Sequence, residues 1–327
     1  MTEKERVICA LNHEEPDFIP YQIDFASQEY SLTIESLRGK ANLGEIENHI
    51  YSGQYGFSEE IKPGIFKNEL GVIHSKGVVT EHIIKDIEDE FVFPPVCEKK
   101  TRKHIEDWIS AAGDKFTIYG AGSIFSTAWS LYGMENLLAD MLLNPEAVSR
   151  LFSNICEYDL SIMEIALEYE LDGCFYADDW GQQKNLIMGA DNFRKFIKPQ
   201  IKKLYSIAKD KGLYVLQHSC GDIHELFPDL IEIGLDCYQT FQSEIYDIES
   251  VKKEFGASLS FWGGISTQSL LPYGTPEQVK DETIRTLKIM RPGGGYIAGP
   301  SHTVTHDVPT GNFMAMLEVF ENQDKYL

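Results

Sequence analysis

Positive charge is scarce in this 327-residue sequence. It has 29 lysine and arginine residues against 51 aspartate and glutamate residues, which gives a formal net charge of −22. A protein of this charge would repel a nucleic acid, so nucleic-acid binding is disfavoured as its function. Apolar residues make up 43% of the chain, enough for the core of a large folded domain.

Long apolar runs and closely paired cysteines are also missing. No uninterrupted run of about 18 apolar residues is present that could cross a membrane. The N-terminus is polar and lacks the apolar segment of a signal peptide. The six cysteines contain no Cys-x-x-Cys pair and are too sparse for a disulfide-stabilised fold. We therefore expect a cytoplasmic protein that does not bind membranes and keeps its thiols reduced.

Short apolar runs alternate with amphipathic helical stretches in the second half of the chain. The predicted strands there cover residues 174–177, 213–218, 237–241, 259–264 and 295–299. Each is almost unbroken in apolar residues, which is typical of parallel strands that are covered on both faces. The alternation predicts an α/β fold with a parallel sheet or barrel, and the chain length suits one large α/β barrel or two medium domains, of which we favour the barrel.

The first half of the chain is less regular. Strands are predicted at residues 18–25 and 116–120 and a hairpin at 71–79, and an eighth strand can be placed only near 54–57. No linker rich in proline, glycine or serine divides the sequence, and no internal repeat is present. We expect a single domain over residues 1–327, a barrel with an N-terminal elaboration.

His218 and Cys220 follow one predicted strand and lie two positions apart. In extended geometry both side chains point to the same side, at the barrel end where reacting groups lie. An imidazole and a thiolate together suit zinc, whereas magnesium or calcium would be bound by oxygen atoms. The structural alternative is a hydrogen-bonded histidine beside a cysteine that packs as a small apolar residue.

A third ligand would make this pair a catalytic zinc site. His302 ends another predicted strand and the pair Asp178 and Asp179 ends a third, so either strand could supply that ligand. Three protein ligands leave one zinc position open to a substrate. Neighbouring residues of an extended strand face opposite ways, so we expect one aspartate to face the pocket. The residues expected to line the pocket mouth or contact substrate are Trp180, Gln182, Tyr238, Trp262 and His306.

The aspartate that faces the pocket has three possible roles. It could bind the metal, orient His218, or act as the catalytic acid that protonates a leaving oxygen. Asp178 and Asp179 are therefore both candidate catalytic residues. The structural alternative is that one caps a helix while the other is solvated.

Several motifs lie along almost the whole chain, within residues 5–20, 218–221, 261–265, 274–279 and 293–309. Together they resemble the uroporphyrinogen decarboxylase superfamily, and within it the branch of corrinoid-linked, cobalamin-dependent methyltransferases. The resemblance implies a (β/α)8 barrel. True decarboxylases of that family carry an arginine-rich segment, R-x-x-G-R-Y, near the first strand. The corresponding residues 21–27 contain no arginine, which disfavours a substrate with eight carboxylates.

Methyltransferases of this branch hold zinc with a His-x-Cys pair and a later cysteine, and they work with a separate corrinoid protein. Here Ser301 and His302 stand where the later cysteine would fall. This departure leaves the third ligand open between His302 and an aspartate. It also disfavours a thiol acceptor such as coenzyme M, whose users resemble the two-cysteine pattern.

The resemblance therefore implies a zinc-dependent methyltransferase. It would move a methyl group from a small methoxylated compound, such as an aryl methyl ether, to the cobalt(I) of a partner corrinoid protein. Asp178 or Asp179 would give a proton to the leaving oxygen. The alternatives are methyl transfer between a corrinoid protein and a thiol or amine, decarboxylation, and a non-catalytic barrel that binds a tetrapyrrole.

Overall fold

The computed structural model describes residues 1–25 and 48–327, which form two compact units. The first unit comprises Met1–Tyr51, Ala112–Phe116 and Asp236–Leu327, and the second comprises Ser52–Ala111 and Thr117–Leu235. Within the described residues no helix combines the length and the apolar composition that crossing a bilayer requires. The single-domain organisation stays a prediction.

The bounds of the secondary structure are as follows. The strands are β1 (Ile50–Gln54), β2 (Ser58–Lys62), β3 (Ile65–Asn68), β4 (Ile73–Ser75), β5 (Val78–Glu81), β6 (Phe116–Gly120), β7 (Gly173–Ala177), β8 (Tyr214–His218), β9 (Cys237–Phe241), β10 (Ser260–Ile265) and β11 (Tyr296–Pro300). The helices are α1 (Glu3–Leu11), α2 (Glu98–Ile109), α3 (Ile124–Tyr132), α4 (Met134–Leu143), α5 (Pro145–Ala166), α6 (Ala190–Asn192), α7 (Lys198–Lys209), α8 (Phe227–Glu232), α9 (Ile248–Phe255), α10 (Leu270–Tyr273), α11 (Pro276–Met290) and α12 (Thr310–Glu321). A π-helical turn at Phe193–Ile197 joins α6 to α7.

In the first unit, β9, β10 and β11 are parallel neighbours, and every residue of these strands is buried. This burial explains their unbroken apolar sequences. The strand predicted at residues 18–25 is corrected: only isolated parallel bridges form, from Tyr21 to Ala298 and from Phe25 to Val304. Pairing is interrupted because the Ile23 N–H donates to the side chain of Asn48 instead of to a neighbouring strand.

In the second unit, β6, β7 and β8 are parallel neighbours. The segment before them forms a four-stranded antiparallel sheet in the order β2, β3, β4, β5, which contains the predicted hairpin. The strand predicted near residues 54–57 is corrected to β1, which ends at Gln54. A glycine inside a strand weakens the sequence signal. Here Gly53 is required by the Trp108 ring, which would lie 2.5 Å from a Cβ at that position.

The remaining predicted strands lie within one residue of β6 to β11 at each end. Parallel strands alternate with helices in both units, which confirms the α/β class. The helical stretch between β7 and β8 is built from α6, the π-helical turn and α7. Its π-helical turn places Phe193 against the indole of Trp180, with ring centroids 5.0 Å apart.

Candidate metal centre at the ends of β7 and β8

The segments that follow β7 and β8 continue side by side beyond the strands. The last paired residues are Ala177 and His218. The Asp178 N–H donates to the His218 carbonyl at 3.0 Å, and the Gly181 N–H donates to the Cys220 carbonyl at 3.2 Å. The two polar motifs found in the sequence therefore lie in contact within one unit.

Two glycines allow this close contact. A Cβ on Gly221 would lie 2.2 Å from the carbonyl carbon of Gly181, and Gly221 has a φ of +80°. A Cβ on Gly181 would lie 2.7 Å from the Asp222 nitrogen. The sequence analysis did not identify these glycines. It also did not identify Ser219, whose hydroxyl accepts the backbone N–H of Trp180 at 3.0 Å. The signal that the sequence offered for the two glycines was their position, since Gly181 directly follows residues 178–180 and Gly221 directly follows residues 218–220.

His218, Cys220 and Asp179 form the centre of the site. The Nε2 atom of His218 lies 3.5 Å from the Sγ atom of Cys220. On the same imidazole, Nε2 is 3.4 Å from Oδ1 of Asp179. That carboxylate oxygen also accepts the Cys220 N–H at 2.8 Å. One imidazole nitrogen, one sulfur and one carboxylate oxygen thus converge.

The spacing of these atoms fits a tetrahedral zinc ion. Zinc bonds of about 2.0–2.1 Å to nitrogen and about 2.3 Å to sulfur hold the two ligand atoms about 3.6 Å apart, and a nitrogen and an oxygen ligand lie about 3.4 Å apart. The observed separations are 3.5 and 3.4 Å. A thiol in the donor set favours zinc over magnesium or calcium.

The three groups shift each other's protonation. Burial lowers the pKa of His218, but hydrogen bonds with Asp179 and Cys220 outweigh it and raise the pKa to about 10. Burial raises the pKa of Asp179, but the hydrogen bond and charge of His218 outweigh it and lower the pKa to about 2. Without a metal, the pair is therefore a charged imidazolium and carboxylate at neutral pH.

Asp178 points away from this centre and caps α3. Its oxygens accept the N–H groups of Phe125 and Ser126 and the Ser126 hydroxyl at 2.8–2.9 Å, and the Trp180 indole N–H at 2.9 Å. Only 3% of Asp178 is exposed, against 49% of the Asp179 side chain. Burial raises the pKa of Asp178, and the hydrogen bonds from Phe125 and Ser126 oppose that shift.

The other predicted site residues are placed as follows. Trp180 has no exposed surface, so it packs inside the second unit instead of lining an open mouth, while Gln182 is exposed. In the first unit Tyr238 and Trp262 are buried, with 0% and 3% exposed. Two predicted residues of that unit are exposed, namely His302 and His306. His302 follows β11, and its Nδ1 accepts the Thr303 N–H at 2.8 Å.

Comparison with known proteins gives a family match. The family model for uroporphyrinogen decarboxylase (URO-D) matches residues 78–323. A methylated-thiol–coenzyme M methyltransferase of Methanosarcina mazei is 25% identical over 191 residues, which cover 58% of this chain and 49% of that protein. The chain thus spans about half the length of this relative. A uroporphyrinogen decarboxylase of Chlorobium limicola is 22% identical over 260 residues, covering 77% of this chain and 71% of that protein.

A solved structure supports the same fold. The structure described as a methyltransferase from Methanosarcina mazei aligns with a TM-score of 0.73 and covers 99% of both chains. Sequence identity over this alignment is 17%, so the likeness concerns the fold alone. Together with the alternating parallel strands and helices, it confirms the predicted TIM-barrel fold.

Proposed function

Since this chain belongs to the uroporphyrinogen decarboxylase (URO-D) family, we propose that it is a zinc-dependent methyltransferase with its centre at the ends of β7 and β8. The observation that carries the proposal is the 3.5 Å between His218 Nε2 and Cys220 Sγ, with Asp179 Oδ1 3.4 Å from the same nitrogen. Either Asp179 or His302 would be the third ligand. Bound zinc would supply a Lewis acid that polarises the atom carrying the methyl group.

Asp179 has a narrower role in this proposal than the sequence alone allowed. With its pKa lowered to about 2 it is ionised at neutral pH, so it binds a cation or an imidazole N–H but holds no proton to donate. Asp178 is occupied by the hydrogen bonds that cap α3. The proton that a leaving oxygen requires would therefore come from water at the site.

We propose a small methoxylated compound as the methyl donor and the cobalt(I) of a corrinoid protein as the acceptor. An unactivated ether oxygen is a poor leaving group, so the reaction needs electrostatic stabilisation of the developing negative charge. A methylated thiol is the second candidate donor, because the relative from Methanosarcina mazei is named for that substrate. Decarboxylation is disfavoured because residues 21–27 contain no arginine.

The test compares three substrates with the zinc-loaded protein: an aryl methyl ether, a methylated thiol and uroporphyrinogen. The first two are mixed with reduced corrinoid protein, and methylation of cobalt is followed by absorbance. Methylation by the ether that stops after chelation supports the proposal. Reaction of the methylated thiol alone would replace the donor with the second candidate. Release of carbon dioxide from uroporphyrinogen would contradict methyl transfer.

Zinc affinity is expected to increase with pH. Both ligands must be deprotonated to bind the metal, and the pKa of His218 is raised to about 10. Below about pH 10 zinc must displace a proton from His218. The zinc affinity therefore rises about tenfold per pH unit for each proton that zinc displaces. Titration against a chromophoric chelator between pH 6 and 8 measures the slope. A flat profile would show that zinc binds elsewhere.

Asp179→Asn is expected to weaken zinc binding about 10- to 100-fold, the usual effect of losing a carboxylate that orients or joins the ligands. The amide can still accept the Cys220 N–H, so the change tests the negative charge. Asp222→Asn is the matched control, because Asp222 lies in the same segment and accepts the His224 N–H. Equal zinc affinity in Asp179→Asn and the control would remove Asp179 from the proposed centre.

A further inference from the structure

Asp159 is a buried carboxyl group with no place in the reaction proposed above. It lies on α5 with 2% of its surface exposed. Its Oδ2 atom is shielded from solvent and has no hydrogen-bond partner within the described part of the chain. The backbone of Gly122 packs against it, since a Cβ there would lie 2.0 Å from both carboxylate oxygens. Burying an ionised group in this way costs much more than burying a neutral one.

The charges that act on Asp159 make ionisation still more costly. Burial, followed by the negative charges of Asp178 and Glu69, raises the pKa of Asp159 well above its usual value. Asp178 comes from the end of β7 and Glu69 from the segment after β3. The other titratable neighbours are Cys156 and Tyr158 on α5 and Tyr176 on β7.

Gly122 connects Asp159 to the candidate centre. With a φ of +67°, it lies two residues before α3. The first turn of α3 holds Asp178 through the N–H groups of Phe125 and Ser126. Asp178 in turn precedes Asp179 in the chain. Movement of the Gly122 turn would therefore shift the backbone that carries Asp179.

We propose that Asp159 is a neutral carboxylic acid at neutral pH. We further propose that it is a positioning residue, whose carboxyl group packs against the Gly122 turn and holds that turn in place. As a neutral group it packs against the turn without repelling Asp178. An ionised Asp159 would place an unpaired charge in the interior beside a second carboxylate. Its effect on zinc binding rests on the proposed function, whereas its protonation does not.

The protonation is tested by the stability of wild type and Asp159→Asn in urea at pH 5 and pH 6. An acid whose pKa is raised on folding binds its proton more tightly in the folded state, so stability falls as pH rises above the unfolded value. Between pH 5 and pH 6 the folding equilibrium constant of the wild type should therefore fall about tenfold relative to that of Asp159→Asn. Asp229→Asn is the control, because contacts with Lys198 and Arg194 lower the pKa of Asp229, which is ionised in both states here.

Two outcomes would overturn the proposal that Asp159 is a neutral acid. One is a stability difference between wild type and Asp159→Asn that does not change from pH 5 to pH 6. The other is failure of Asp159→Asn to fold, because a neutral side chain of the same shape should replace a neutral acid.

The positioning role is tested by hydrogen exchange of the Phe125 and Ser126 amides and by zinc affinity. Asp159→Asn should keep both near wild type. Asp159→Leu replaces the planar carboxyl group that packs against the Gly122 backbone with a branched side chain, so it should speed exchange and weaken zinc binding. Unchanged exchange in Asp159→Leu would refute the positioning role. If exchange changes as expected and no variant or wild type binds zinc, the positioning role stands and the proposed function fails.

Discussion

His218→Ala and Cys220→Ser are each expected to eliminate tight zinc binding and to lower the rate of methyl transfer about a thousandfold. Each change removes one of the two ligands that the strand end of β8 supplies. The developing charge on the leaving atom would then lose its electrostatic stabilisation, an effect that costs about two to three orders of magnitude in other active sites. Metal content after dialysis and the rate of cobalt methylation measure the two effects.

A matched control separates loss of the metal from loss of the fold. Cys97→Ser removes a thiol that is exposed and distant in sequence from the centre, and it should retain zinc and activity. Circular dichroism should show folded protein for all three variants. Normal zinc content in both His218→Ala and Cys220→Ser would refute the proposed centre. A zinc-free variant with full activity would refute the role of zinc in the reaction.

Asp178→Ala is expected to destabilise the protein by about 3–5 kcal/mol. Two α3 backbone N–H groups, the Ser126 hydroxyl and the Trp180 indole N–H would lose the acceptor that they share in a buried environment. Urea unfolding measures the change in the free energy of unfolding. Asp178→Asn should destabilise the protein less than Asp178→Ala, because the amide keeps one oxygen that can accept hydrogen bonds. It should still lower the stability, because its NH2 group would face other donors.

The fully exposed Asp191 provides the control for Asp178. Asp191→Ala should change stability by less than about 0.5 kcal/mol, as is usual for surface substitutions. Should Asp178→Ala be as stable as Asp191→Ala, the cap on α3 would contribute nothing and Asp178 would return as a candidate catalytic acid.

The local sequence pattern was sufficient to predict the buried parallel strands, but not a segment whose strand pairing is interrupted by a side chain. Residues 116–120 and 237–241 agree with β6 and β9 because buried parallel strands need unbroken apolar runs. The strand predicted at residues 18–25 failed because the side chain of Asn48, 25 positions after Ile23, accepts the Ile23 N–H and interrupts the strand pairing. Sequence gives no warning of such a partner.

The candidate centre was predictable in the same limited way. The spacing of His218 and Cys220 in extended backbone was enough to predict that their side chains would meet. Alternation also predicted that Asp178 and Asp179 would separate, but not which would face the centre. That choice depends on the first turn of α3, more than 50 positions earlier in the chain.

The contact between Gly181 and Gly221 limits how these segments can be redesigned. Any side chain at either position would collide with the opposing backbone, so a mutant library that randomised both segments would consist largely of misfolded members. Diversity is better introduced at the exposed Gln182, one position further along. Transplanting the His-Ser-Cys-Gly loop into another scaffold would likewise require its partner loop.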